Sequence, residues 1–125
     1  MDIIGLGIDL IACVRVRSLI ERHGETFLRR VYTKYEICVC RSSVRSTEAY
    51  AGRWAAKEAV LKCLNVIERA SHRIDVEIRS LAGKPQVVLL GSVLEHATEL
   101  GVGNVTLSVA VTRKYATASA IAVRA

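Results

Sequence analysis

Alanine occupies every second position from Ala116 to Ala122. In an extended chain alternate side chains share a face, so residues 115–123 form a strand with one face of methyl groups. Such a face suits neighbours that tolerate close approach. Residues 105–111 alternate apolar positions with Thr106, Ser108 and Ala110, and a turn at Arg113-Lys114 joins the two stretches. Together they read as an antiparallel hairpin pressed against alanine-tolerant neighbours.

The rest of the chain mixes helix and strand. Ile3 to Ile11 is an apolar run broken only by Gly5, Gly7 and Asp9, which predicts a strand buried on both faces. Gly5-Leu6-Gly7 is not a dinucleotide fingerprint, because the third glycine position holds Leu10 and no helix clearly opens there. Residues 14–23 read as a helix with Val16, Leu19 and Ile20 on one side, stopped by Gly24. Arg29 and Arg30 fall in a short helical stretch beyond it. Residues 42–47 are turn-like. An alanine-rich helix then covers about residues 47–64, free of Gly and Pro after Gly52. Strands at 74–78 and 86–90 flank a turn at Gly83-Lys84-Pro85, and a short helix over 93–100 is stopped by Gly101. No internal repeat or linker interrupts the pattern, so residues 1–125 are read as one α+β domain.

The apolar start carries Asp2 and Asp9 and lacks a basic leader, which fits neither a signal peptide nor a bilayer span. A cytoplasmic protein is expected, with Cys13, Cys38, Cys40 and Cys63 as reduced thiols and Cys63 packed as a small hydrophobe.

The net charge is +6, and thirteen of the eighteen cations are arginine. Arginine forks onto phosphates and carboxylates, so nucleic acid, nucleotide and acidic protein all qualify as partners, beside plain solubility. RNA fits poorly. Trp54 lies inside the long helix and the four tyrosines are scattered, leaving little for base stacking. Arg15 and Arg22 lie seven apart on one helix face, a candidate docking surface.

Two carboxylates stand out: Asp9 ending an apolar strand, and Glu58 in a helix with Arg53, Lys57 and Lys62. Mg²⁺ takes oxygen ligands and is commonly held by one or two carboxylates plus substrate phosphates. Glu58 and Lys62, four apart, would by themselves make an ordinary surface ion pair. Composition alone does not bring Asp9 and Glu58 together.

These residues carry a resemblance. Gly5-Leu6-Gly7-Ile8-Asp9-Leu10 resembles the opening strand of the holo-acyl-carrier-protein synthases, and residues 50–62, Tyr-Ala-Gly-Arg-Trp-Ala-Ala-Lys-Glu-Ala-Val-Leu-Lys, are similar to their signature helix. Arg15, Phe27, Thr33 and Glu36, then Asp75-Val76-Glu77-Ile78, Gly83-Lys84-Pro85 and Tyr115-Ala116-Thr117-Ala118, continue the order along the whole chain. The resemblance implies an α+β domain with a mixed or antiparallel sheet against the signature helix, assembled as a homotrimer with active sites between subunits. The alanine-rich faces of the last two strands are expected to help form that contact.

The activity implied is Mg²⁺-dependent transfer of 4′-phosphopantetheine from coenzyme A to a serine of an acyl carrier protein, for fatty acid biosynthesis. Asp9 and Glu58 would bind Mg²⁺, and Glu58 would help deprotonate the serine. Lys62 would stabilise the departing phosphate. Arg45, Arg53 and Lys57, with Gly83, Lys84 and Pro85, would hold the nucleotide, while Arg15 and Arg22 would face the carrier protein. No nucleic acid and no membrane partner is implied.

Two stretches depart from the family pattern. A Gly-Thr-Gly loop usually follows the signature helix, where this chain has Leu64-Asn65-Val66-Ile67, and a Ser-His or Thr-His pair is replaced by Ala110 and Val111. The alternative reading is therefore a non-catalytic paralogue that keeps the fold and binds carrier protein or coenzyme A.

Overall fold

The computed structural model describes residues 2–81 and 83–125. In chain order the elements are β1 (Ile3–Ala12), α1 (Cys13–Val31), α2 (Lys34–Arg41), α3 (Ser46–Cys63), β2 (Val76–Ile78), β3 (Val87–Leu89), α4 (Gly91–Leu100), β4 (Val102–Val111) and β5 (Tyr115–Arg124). One antiparallel sheet has the order β1-β5-β4, and β2 and β3 form a second antiparallel pair. Among the described residues no helix is long and apolar enough to cross a membrane.

Helix α3 is the centre of the molecule. Every residue from Tyr50 to Leu61 is buried, charged ones included. A helix covered all round needs neighbours on every side, and α3 has them: the three-stranded sheet, α1, α2 and β2 all pack on it. Small residues set the distance. Ala116, Ala118, Ala120 and Ala122 of the central strand β5 are buried, as are Ala51, Ala55, Ala56 and Ala59 of α3. On β1 the two glycines serve the same purpose, since a Cβ at Gly5 would collide with the Cys63 carbonyl oxygen and one at Gly7 with that of Ala59.

This packing corrects two expectations. The alanine face of β5 is already covered by α3, so it is not available to another subunit. Strand β1 is buried on one face only: Leu6, Ile8 and Leu10 are 63%, 60% and 66% exposed. The reason is layering. Within this chain α3 covers one side of the sheet, leaving the outward side chains of β1 open.

Gly24 interrupts α1 rather than ending it, with φ 54° and ψ −133° making a kink between two helical stretches. Helix α2 escapes the sequence reading, although Thr33 and Glu36 form a complete capping box at its start. Residues 73–75 form a 3₁₀ turn instead of the predicted start of a strand.

Candidate functional site

Asp9 follows Gly5 and Gly7 on the face of β1 that meets α3, which brings its carboxylate to the second half of that helix. Lys62 Nζ donates to Asp9 Oδ1 at 3.1 Å and to the Ile8 carbonyl at 3.0 Å. Burial pushes the Asp9 carboxyl above its ordinary range. The Lys62 hydrogen bond and charge oppose the rise, Glu58 repulsion adds to it, and Arg69 opposes it.

Glu58 turns to two arginines that the sequence reading did not single out. Arg73 Nη2 donates to Oε1 at 3.3 Å and Nε to Oε2 at 3.4 Å, while Arg69 Nε lies 3.7 Å from Oε1. The Arg73 guanidinium sits 4.4 Å over the Trp54 ring. Glu58 and Lys62 thus do not form the ordinary surface pair their spacing suggests, because each finds a partner from another element. Arg69 and Arg73 were detectable only as cations shortly after the helix, a weak signal.

The other predicted residues divide into two groups. Lys57 is wholly buried: its ammonium pairs with Glu36 at 2.6 Å and donates to the carbonyls of Arg73 and Val76. Arg53 is buried as well, with Nε donating to the Ile78 carbonyl at 3.2 Å. In this conformation both brace the junction of α2, α3 and β2, where the resemblance leads one to expect charge held toward a nucleotide. Arg45 is exposed at the start of α3, paired only loosely with Glu48 at 3.7 Å. Gly83 and Lys84 are exposed and Pro85 is half-buried. Arg45 borders a shallow depression of ≈ 350 Å³ with Glu48, Leu81, Val109 and Val111, so Val111 does lie beside an exposed arginine. Thirteen residues of helix separate Arg45 from Glu58, roughly 20 Å at 1.5 Å per residue.

Arg15 and Arg22 are both exposed on α1. Arg15 lines a groove of ≈ 690 Å³ together with Phe27, Arg29, Arg30, Trp54 and Arg73, which runs from α1 to the arginine on Glu58. In the loop after α3, Asn65 adopts φ 56°, a left-handed conformation that asparagine tolerates better than most residues. Cys40 and Cys63 are packed thiols, pushed by burial to about 11 and about 12. They are inert ligands and nucleophiles at neutral pH.

The chain matches the 4′-phosphopantetheinyl transferase superfamily over residues 5–119. It is 36% identical to a holo-[acyl-carrier-protein] synthase of Halothermothrix orenii over 115 residues, covering 91% of this chain and 92% of the relative. The crystal structure of holo-[acyl-carrier-protein] synthase from Neisseria meningitidis superposes with a TM-score of 0.86 at 27% identity, over 98% of this chain and 100% of that one. The Helicobacter pylori enzyme in complex with coenzyme A does so with a TM-score of 0.79 at 25% identity, over 94% and 99%. Family match, chain-length similarity and shared fold agree: this chain belongs to the 4′-phosphopantetheinyl transferase superfamily, in the branch of the holo-[acyl-carrier-protein] synthases.

Proposed function

We propose that the chain transfers 4′-phosphopantetheine from coenzyme A to a serine of an apo-acyl-carrier protein, releasing 3′,5′-ADP, with Mg²⁺ held by Asp9 and Glu58. The observation that supports this reading is the Lys62 ammonium held on Asp9 at 3.1 Å, with Glu58, one turn before Lys62 on α3, gripped by Arg73 of an arginine-lined groove. The donor set fits the ion. Both ligands are hard carboxylate oxygens, and repulsion from Glu58 adds to the rise of the Asp9 carboxyl. Among the described residues no group of three or more His, Cys, Asp or Glu is arranged for a metal, so the remaining oxygens would come from phosphate and water. When bound, Mg²⁺ supplies neutralisation of the diphosphate charge.

In this mechanism the serine oxygen attacks the β-phosphorus of coenzyme A and the P–O bond to the 3′,5′-ADP breaks. Glu58 takes the serine proton. Lys62, anchored by Asp9 and the Ile8 carbonyl, directs its ammonium toward charge developing on the departing phosphate. Arg15 and Arg22 present positive charge to an acidic carrier surface. The carrier proteins of fatty acid biosynthesis in the cytoplasm are the substrates this reading expects. Its test is incubation with coenzyme A, Mg²⁺ and an apo-carrier protein. Mass spectrometry should show the carrier gaining one phosphopantetheine; binding without any mass gain would support the non-catalytic alternative instead.

The same reading includes a homotrimer. Arg45 caps the start of α3, roughly 20 Å along the helix from Glu58, so a nucleotide touching both would bridge two copies. The surface offered is the open sheet face, where Leu6, Ile8 and Leu10 stand opposite Ile121, Ser119 and Thr117. Ile8→Glu should convert the assembly to monomers in light scattering and lower transfer with it, because a charge buried without a partner opposes association. A wild-type monomer at micromolar concentration would contradict this part of the reading.

A further inference from the structure

Arg73 is the most constrained cation around Glu58. It belongs to the 3₁₀ turn of residues 73–75, and its carbonyl accepts a hydrogen bond from the buried Lys57 ammonium at 3.0 Å. Its guanidinium is fixed from behind by the Trp54 ring at 4.4 Å and grips both Glu58 oxygens. Its side chain is 18% exposed, against 42% for Arg69 on the same carboxylate. This grip has two opposed consequences. A forked contact fixes the carboxylate's orientation. It also sets a full positive charge beside the oxygens that a cation would use, and that charge repels a bare cation while attracting a cation's phosphate ligands.

We propose that Arg73 is a positioning residue that holds the Glu58 carboxylate oriented and partly neutralised, so that a divalent cation binds weakly to the chain alone and firmly only together with a diphosphate. The inference rests on the reading of Asp9 and Glu58 as the cation's carboxylates. Arg73 acts through Glu58, whereas the Lys62 ammonium is held by Asp9 and the Ile8 carbonyl.

The test uses Mn²⁺ as the probe, with the free ion followed by electron paramagnetic resonance on the full chain, with and without coenzyme A. The wild type should bind Mn²⁺ weakly alone and more tightly with coenzyme A. Arg73→Met, which keeps an apolar stem against Trp54 and removes the charge, should tighten binding of Mn²⁺ alone by about tenfold and shrink the gain from coenzyme A. Arg73→Lys should restore weak binding. A purely structural role predicts unchanged or weaker binding in Arg73→Met, and that result would overturn the inference while leaving the metal reading in place. If the Met variant does not fold by circular dichroism, Arg73→Gln, which keeps a hydrogen bond to Glu58, carries the same expectation. Absence of Mn²⁺ binding in every form, even with coenzyme A, would remove the metal reading and the inference together.

Discussion

Glu58→Gln is expected to lower phosphopantetheine transfer by about 10²–10⁴-fold while the protein stays folded. The amide keeps the shape of the side chain and its place beside Trp54 and Arg73, but it can neither take the serine proton nor offer a charged oxygen to Mg²⁺. Asp9→Asn should act in the same direction by removing the second carboxylate and the anionic anchor of Lys62, which now lies 3.1 Å away. Carrier binding should change little in either variant, because Arg15 and Arg22 are exposed on α1 and keep their charge. Initial rates of carrier mass gain, read beside a thermal melt and a carrier-binding isotherm, separate these effects. Glu58→Gln activity within tenfold of wild type would rule Glu58 out as the base.

The largest expected effect on stability lies elsewhere, at Glu36. This carboxylate is fully buried, accepts from the backbone N–H groups of Thr33 and Ile78 at 2.8 Å each, and pairs with the buried Lys57 ammonium at 2.6 Å. Burial pulls Lys57 toward its neutral form, and Glu36 is the chief opposing influence. Glu36→Ala would leave that ammonium without its counter-charge and the N–H groups of half-buried Thr33 and buried Ile78 without acceptors. The expected cost is about 3–5 kcal/mol, or a fall in Tm of roughly 10–20 °C. Lys57→Met alone should also destabilise, yet the double substitution should cost less than the sum of the two. Strict additivity in a denaturation cycle would show that the pair is not coupled.

These two sites show what could be read in advance. Asp9 and Glu58 were visible as carboxylates in apolar or basic settings, and the long helix and final hairpin followed from composition and alternation. For Lys57 the neighbouring cations Arg53 and Lys62 suggest a basic face. Its true partner, Glu36, is twenty-one positions away and belongs to a helix whose capping signal, Thr33 and Glu36, went unused. The same holds for Arg69 and Arg73: nothing local shows that the chain after α3 folds back onto Glu58.

The alternating alanines determined by themselves that β5 must lie close to something, and the Gly5-Gly7 spacing did the same for β1. Neither pattern could say what lies there. Only the tertiary structure decided that α3 fills that space, which withdraws the alanine face from any subunit contact and leaves Leu6, Ile8 and Leu10 outward instead. The division has a physical cause. Periodicity in sequence reports which side chains share a face, a local property of the backbone. The identity of the opposing surface, and with it the pairing of Asp9 with Lys62 and of Glu58 with Arg73, depends on residues brought together across long stretches of chain.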